Sequence, residues 1–373
     1  MNVLILTVSA GSGHTKAAEA IMEEVLERYG ADSCMVVDTF YYVSPILHTL
    51  VIGGYLGSLR ANPQIFAKLY EMADEDDSNL TDISSGFNSL FSRKIKKLIK
   101  TFKPSVIVCT HYFPAQMLSA MKAKNKLDIP IVTAITDYAV HSMWVRDYCD
   151  AYIVANKYLL EKLARKGIDK ADIYPYGIPV RKQFSKIKDK SVLRKNLKLN
   201  EKPTFLIIGG GLGFGDLRDV VTSLIPFHEF IQIIIVCGKN ERLKKEIGKL
   251  TKLFENSIVV YGYVDNIAEL MNASDFILTK PGGLTVSEAM CMHVPIILFS
   301  PLPGQEELNE LYLINNGVAC KLPPKDEIDS FIFQITENSL RQKQMAEMCA
   351  HLASPHSTKN IVDLCEKLAN KNL

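Results

Sequence analysis

The sequence predicts an α/β protein of two domains, each built on a doubly wound parallel sheet. In both halves of the chain, short apolar runs of strand length alternate with helical stretches, which is typical of parallel sheets covered by helices on both faces. The alternation stops once, near the middle of the chain, and then resumes. With 373 residues, 47% of them hydrophobic, each half is long enough to bury a core of its own.

The first half contains five predicted strands. They cover residues 3–8, 35–38, 105–110, 131–136 and 151–155. A helix is predicted over residues 13–29, because Ala17, Ile21 and Val25 recur at the spacing of a buried helical face. Strands separated by helices in this order form a parallel sheet, so we expect a first domain over residues 1–178.

Between residues 41 and 90, a segment rich in leucine, isoleucine and aromatic residues interrupts this rhythm. Its apolar residues suit either an additional helical pair in the core or a groove that contacts lipid chains, and the residues alone leave both open. Basic residues follow at Arg93, Lys94, Lys96, Lys97, Lys100 and Lys103. They suit a solvated helix face or an anionic membrane surface, where each basic side chain contributes roughly 1 kcal/mol of attraction.

A second series of strands begins after a charged stretch. This stretch, residues 181–202, is the expected linker and directly follows Gly177-Ile178-Pro179. Strands are predicted over residues 204–208, 232–237, 257–261, 276–279 and 296–299, and a final helix from about Thr358. We therefore expect a second doubly wound domain over residues 179–355, and a C-terminal helix, residues 356–373, that completes the first domain.

Charge and cysteine usage exclude several classes of protein. The formal net charge is +2, so the chain lacks the basic excess of a nucleic-acid binder. Its eight cysteines form no CxxC pair, which indicates reduced thiols in a cytosolic protein rather than a zinc site or a disulfide framework. The N-terminus has no basic leader, and no run approaches the ~18 to 20 apolar residues that span a bilayer. Any membrane contact is expected to be peripheral, at the inner face of the cell membrane.

The turn after the first strand reads Ser9-Ala10-Gly11-Ser12-Gly13-His14. Glycines there let the backbone approach a ligand, and the start of the following helix favours negative charge. The dinucleotide-binding and Walker patterns are both incomplete, so tight strand–helix packing explains the glycines equally well. His14 lies at the carboxyl edge of the sheet, where α/β proteins place their sites, and its side chain suits a general base. A local helix cap is the alternative role of this histidine.

The second domain carries two glycine-rich turns, each after a buried strand. Five glycines stand between residues 209 and 215, which favours backbone N–H groups that bind phosphate. Gly282, Gly283 and Thr285 open a helix whose first turn can hold a diphosphate. Glu288, one turn later, can accept both hydroxyls of a ribose. The turn over residues 301–309 carries polar side chains that suit a sugar.

Together these motifs resemble the inverting glycosyltransferases with two Rossmann-like domains (GT-B), and most closely the monogalactosyl- and glucosyl-diacylglycerol synthases, relatives of the lipid II N-acetylglucosaminyltransferase. The resemblance rests on GSGH, KPGGLTVSEA, PGQEELN, TDYAVHSMW at residues 136–144 and GIPV at residues 177–180. It runs nearly end to end. It implies two domains that face each other across a cleft, and transfer of glucose or galactose from a UDP-sugar to diacylglycerol.

The resemblance also implies functions for individual residues. His14 would be the catalytic base, with Asp137 and His141 nearby in the cleft. Glu288 would bind the uridine ribose, and Val264 would contact uracil through its backbone. The remaining donor-binding residues would be Gly210, Gly211, Gly282, Gly283, Leu284 and Thr285 at the diphosphate, and Gln305 and Glu306 at the sugar.

Two further observations concern the chemistry. Retaining enzymes of this fold carry two glutamates eight positions apart, but Lys280 stands eight positions before Glu288, which favours inversion. Asp74-Glu75-Asp76 has the DxD form that binds a divalent cation in another glycosyltransferase fold, yet no predicted strand precedes it. We therefore expect a solvated acidic turn there, no metal and no cofactor. The expected partners are a UDP-sugar, diacylglycerol and an anionic membrane surface, with no nucleic acid.

Three other functions stay open from the residues. N-acetylglucosamine transfer to a polyprenyl-linked acceptor would use the same fold, and so would a sugar-nucleotide epimerase that needs no lipid. A nucleotide-sugar sensor would bind without turnover, although the candidate base and both donor loops are present. Glucose and galactose differ at one hydroxyl, and Gln305 and Glu306 do not decide between them.

Overall fold

The computed structural model describes residues 1–9, 11–46, 48–49, 53, 85–209 and 217–371. The chain divides into two compact units. Unit 1 comprises Met1–Lys182, Pro303–Gln305 and His356–Leu373, and unit 2 comprises Gln183–Leu302 and Glu306–Pro355. The predictions for Gly210, Gly211 and Asp74-Glu75-Asp76, and for most of the apolar segment of residues 41–90, lie outside the described residues.

The strands in the described residues are β1 (Val3–Thr7), β2 (Cys34–Asp38), β3 (Val106–Cys109), β4 (Ile131–Ala134), β5 (Ala151–Ile153), β6 (Ile173–Tyr174), β7 (Thr204–Ile208), β8 (Gln232–Val236), β9 (Ile258–Tyr261), β10 (Phe276–Thr279), β11 (Ile296–Leu298) and β12 (Ala319–Lys321). The helices are α1 (Ser12–Tyr29), α2 (Thr39–Val43), α3 (Ser85–Phe102), α4 (Tyr112–Ala123), α5 (Lys157–Arg165), α6 (Lys190–Asn196), α7 (Leu217–Leu224), α8 (Glu241–Thr251), α9 (Ile267–Ala273), α10 (Gly283–Cys291), α11 (Gln305–Asn315), α12 (Ile328–Glu337), α13 (Ser339–Leu352) and α14 (Ser357–Lys371).

Each unit contains one six-stranded parallel sheet. The strand order is β2-β1-β3-β4-β5-β6 in unit 1 and β12-β11-β10-β7-β8-β9 in unit 2. Every residue of β1 is buried, as expected of a central parallel strand with helices on both faces. The predicted α/β class with two doubly wound parallel sheets is confirmed.

The C-terminal helix α14 is part of unit 1. Its residues Ile361, Val362 and Cys365 are fully buried in the same core as β1 and α1. The start of the helix is held by Val180, whose N–H donates to Ser357 Oγ (3.3 Å) and whose carbonyl accepts from Thr358 Oγ1 (2.6 Å). Burial of the apolar face of α14 therefore completes the core of unit 1.

The stretch expected as a linker, residues 181–202, is largely structured within unit 2. Helix α6 lies in it, and Arg194 and Lys190 on this helix both pair with Asp275, at the start of β10. The same carboxylate accepts the Thr204 N–H at the start of β7 (2.7 Å). The charged residues of this stretch therefore form an ion-paired helix, and not the connecting loop that their charge density had suggested.

Helix α3 is amphipathic. Phe91, Ile95 and Leu98 are buried, and the Phe91 ring lies 6.3 Å from that of Phe113 on α4. The basic residues Arg93, Lys96, Lys97 and Lys100 are exposed. Within the described part of the chain, no helix has the length and hydrophobicity that crossing a bilayer requires.

Candidate functional site

Two histidines of unit 1 follow the two strands at which the strand order reverses. From β1 the chain passes to β2 on one side, and β3 then begins the series on the other side. The carboxyl ends of such neighbouring strands form the crevice where α/β proteins bind ligands. His14 lies in the first turn of α1, just after β1, and His111 directly precedes α4, just after β3.

The imidazole of His14 is held through its Nδ1 atom. Gly11, which precedes α1, has a φ of 110°, a conformation that glycine adopts far more readily than other residues. His14 Nδ1 lies 2.9 Å from the carbonyl oxygen of Thr110 and 2.9 Å from Oγ1 of Thr136. A carbonyl oxygen only accepts hydrogen bonds, so Nδ1 carries the proton in the neutral ring. Nε2 is therefore the nitrogen with the lone pair.

The protonation state of His14 agrees with this geometry. Burial disfavours the imidazolium and lowers the pKa of His14 to about 4, although the hydrogen bond to the Thr110 carbonyl opposes the shift. The ring is consequently neutral at pH 7. A neutral imidazole with a lone pair on Nε2 can take a proton from a hydroxyl, which is the function of a general base.

Two further histidines of unit 1 have the opposite tautomer. Nδ1 of His111 accepts the Phe113 N–H, and Nδ1 of His141 accepts the Met143 N–H, each at 3.1 Å. In their neutral forms these rings therefore carry the proton on Nε2 and donate from it. Of these three histidines, His14 is the one suited to accept a proton through Nε2.

His111 was not predicted from the sequence. Its ring centroid lies 4.7 Å from that of His14, nearly perpendicular, and burial together with the neighbouring His14 lowers its pKa well below the usual value. Its position just after β3 was the available signal, because that strand end adjoins the end of β1. Asp137 is buried and directly follows Thr136, so the TDYAVHSMW motif reaches His14 through its first residue.

In unit 2 most of the predicted donor residues also follow the strands at which the order reverses, β7 and β10. Helix α10 begins directly after β10, with Gly282 at its N-cap. Gly283 and Leu284 are buried in the first turn, whereas Thr285 and Glu288 are half-buried. The backbone N–H groups of a first turn have no partners within the helix and attract anions.

Gly282 has no evident structural reason to be glycine. Its φ of −70° suits any residue, and among the described residues a Cβ atom there would meet only Glu306 Oε1, at 3.9 Å. Gly209, at the end of β7, differs, because a Cβ atom there would lie 3.0 Å from Leu217 Cδ2. Open space at Gly282 leaves room for a ligand against the backbone.

The loop after β11 is attached to the turn after β10. Glu306 accepts the Leu302 N–H (2.7 Å), and Asn309 Nδ2 donates to the carbonyl of Pro281 (3.0 Å). Burial raises the pKa of Glu306, while the Leu302 N–H and the charge of Lys280 oppose the rise. These contacts bring the KPGG and PGQEE motifs together.

The remaining predicted residues are placed as follows. Gln305 is the first residue of α11. Val264 is half-buried in the turn between β9 and α9, at the carboxyl end of the edge strand. Gly210 and Gly211 lie outside the described residues.

Comparison with known proteins adds the following. Residues 14–180 match the family model of monogalactosyldiacylglycerol (MGDG) synthase, and residues 204–364 match that of the glycosyltransferase family 28 C-terminal domain. A processive diacylglycerol beta-glucosyltransferase from Bacillus cytotoxicus is 30% identical over 364 residues, covering 97% of this chain and 92% of the relative. MurG from Acinetobacter baumannii (TM-score 0.62) and Anabaena Alr3699/HepE in complex with UDP (TM-score 0.58) are each 15% identical, covering 98% of this chain and 100% of theirs. These two structures share its fold.

Proposed function

This chain belongs to the family of the processive diacylglycerol beta-glucosyltransferases, and we propose that it transfers glucose from UDP-glucose to diacylglycerol with inversion at the anomeric carbon. It is a hexosyltransferase. Inversion converts the α-linked donor into a β-glycoside, the product that the relative's name specifies. Galactose is the alternative sugar, because the matching family model of the first half is that of MGDG synthase.

The observation that carries the mechanism is the tautomer of His14. With Nδ1–H bonded to the Thr110 carbonyl, Nε2 is available to remove the proton from the lipid hydroxyl. The hydroxyl oxygen then attacks the anomeric carbon, the bond to UDP breaks, and the electron pair leaves with the diphosphate. We assign supporting roles in the acceptor site to Asp137 and His141, the latter as a donor from Nε2–H.

The proposed donor site uses the loops that follow β7, β9, β10 and β11. The diphosphate would bind the first turn of α10 at Gly282, Gly283, Leu284 and Thr285, together with Gly210 and Gly211. Glu288 would hold the ribose, Val264 the uracil, and Gln305 and Glu306 the sugar. Backbone N–H groups and the helix dipole stabilise a departing anion without a metal ion, so we propose that the transfer needs neither metal nor cofactor.

We also propose that the protein works at the inner, anionic surface of the cell membrane. The support is helix α3, which buries its apolar stripe and exposes Arg93, Lys96, Lys97 and Lys100. Each exposed basic residue near an anionic leaflet contributes roughly 1 kcal/mol of attraction. Diacylglycerol is confined to membranes, so such an orientation would supply the acceptor.

The test is product analysis with purified protein and diacylglycerol in mixed micelles. UDP-glucose, UDP-galactose and UDP-N-acetylglucosamine are supplied in separate reactions, with and without EDTA. The expected product is a β-glucosyl-diacylglycerol from UDP-glucose, formed equally with EDTA, and the His14→Asn variant should bind UDP normally but lose turnover at least a hundredfold. Binding of UDP without any glycolipid product, or sugar conversion without lipid, would refute the proposed reaction.

A further inference from the structure

We propose that Thr136 is a positioning residue for His14: its hydroxyl and the Thr110 carbonyl together hold Nδ1 as the proton-bearing nitrogen, in the place that a carboxylate occupies beside the histidine of a hydrolase triad. This inference rests on the proposed role of His14 as base. It assigns a function to a residue that the sequence motif contained but did not explain.

The geometry fixes both oxygens rigidly. Thr136 is 4% exposed and lies two residues beyond the end of β4, while Thr110 is fully buried and lies one residue beyond the end of β3. These strands pair directly, with Cys109 opposite Thr133. The Thr110 hydroxyl is itself committed to Thr7 Oγ1 (2.8 Å), so its carbonyl, and not its side chain, faces the histidine.

Both oxygens are neutral, and this matters for the reaction. When Nε2 takes a proton, the positive charge is shared with Nδ1–H, which has two uncharged acceptors. A carboxylate in that position would favour the imidazolium and raise the pKa of the ring. Neutral acceptors orient the ring and favour its charged form less than a carboxylate would, so the base stays unprotonated between turnovers and releases its proton readily after each transfer.

The experiment uses the full chain with ¹⁵N-labelled histidine. Nitrogen chemical shifts report directly which ring nitrogen carries the proton, and His14 is assigned by comparison with His14→Asn. The wild-type ring is expected to be protonated on Nδ1 and not on Nε2. A ring protonated on Nε2 would overturn the proposal without any further variant.

Three variants separate positioning from packing. Thr136→Val keeps the shape but removes the hydroxyl, and should shift the ring population toward Nε2–H and lower kcat by about tenfold, with KM for UDP-glucose unchanged. Thr136→Ser restores the hydroxyl and should recover both properties. Thr133→Val is the matched control, because Thr133 is also buried, in the strand β4 that Thr136 follows, but its hydroxyl contacts Cys149 instead of His14.

The outcomes distinguish the two proposals. If Thr136→Val leaves the tautomer and kcat as in wild type, the positioning role is wrong. If the tautomer shifts but kcat is unchanged, Thr136 positions His14 but His14 is not the base, and the proposed mechanism fails instead. Should Thr136→Val not fold, the Thr136→Ala and Thr136→Ser pair gives the same comparison.

Discussion

At the scale of single residues, three glycines differ in what requires a glycine at their position: a positive φ, close packing, or neither. Gly11 needs its positive φ, Gly209 is enclosed by Leu217, and Gly282 has neither constraint. A glycine that neither conformation nor packing requires is a candidate for close approach of a ligand. This sorting needs coordinates, because in the sequence all three stand in similar turns after strands.

Gly209→Ala and Gly282→Ser should therefore have opposite effects. Gly209→Ala forces Leu217, which is 3% exposed, to move, and should lower the free energy of unfolding by about 1 to 3 kcal/mol. Gly282→Ser places a good N-cap residue at the start of α10, so stability should be unchanged or higher, while UDP affinity falls by about tenfold. Thermal denaturation and UDP titration calorimetry measure the two quantities. If Gly282→Ser and wild type bind UDP equally well, the diphosphate does not bind at this turn.

The pH dependence of the reaction follows from His14. Below its pKa of about 4 the ring is protonated on Nε2 and cannot act as a base, whereas above this value it is neutral. The rate constant kcat/KM should therefore show no inflection from His14 between about pH 5 and pH 8, and should fall as the pH drops toward 4. Rate profiles recorded alongside circular dichroism separate this loss from acid unfolding. If the profile instead shows an inflection near pH 6.5, and replacing a histidine other than His14 removes it, that other histidine is the base and the assignment to His14 is wrong.

At the scale of elements, apolar runs predicted all the interior strands and two of the four edge strands, β2 and β9. Strands β7 and β10 begin and end as predicted, because they are largely apolar and almost entirely buried. Strands β6 and β12 were missed, since two or three residues carry no periodicity and Lys321 looks like a loop residue. The candidate site divides in the same way: the glycine turns and His14 directly follow predicted strands, whereas His111 and Thr136 come close to His14 only through the pairing of neighbouring strands.

Helix α14 supplies a prediction at this scale. Ile361 is fully buried against the unit 1 core, so Ile361→Ala should lower stability by about 2 to 5 kcal/mol. Lys367→Ala, on the exposed face of the same helix, is the matched control and should change stability by less than about 0.5 kcal/mol. Urea denaturation measures both. Similar stabilities of the two variants would mean that α14 adds little to unit 1.

At the scale of the whole molecule, both units place some of their candidate residues, His14 in unit 1 and the first turn of α10 in unit 2, directly after strands at which the strand order reverses. The near-neutral net charge conceals local asymmetry, because exposed basic residues are concentrated on particular helices such as α3. Bulk composition predicted the absence of a general electrostatic field and was uninformative about such patches. Their function depends on where they lie and not on how many there are.

Membrane binding tests this directly. Replacing Lys96, Lys97 and Lys100 with glutamine should weaken binding to vesicles of phosphatidylcholine with 30% phosphatidylglycerol by about a hundredfold, since each residue contributes roughly 1 kcal/mol. The matched control replaces the exposed Arg242, Lys245 and Lys249 on α8, removing the same charge elsewhere. Vesicle sedimentation at two salt concentrations measures both. Equal weakening by the two triple variants would indicate a net-charge effect without a defined membrane face.

The return of α14 to unit 1 has a consequence for synthesis on the ribosome. Unit 1 begins at Met1, but its core is incomplete until Ile361 and Cys365 have been made, after the whole of unit 2. At a translation rate of about 5 to 20 residues per second, on the order of ten to forty seconds pass between the synthesis of Lys182 and that of Ile361. Until then, the apolar surface that α14 covers is exposed. During this interval the nascent chain exposes an apolar surface of the kind that chaperones bind. All residues of unit 2, which ends at Pro355, are therefore translated before those of unit 1 are complete.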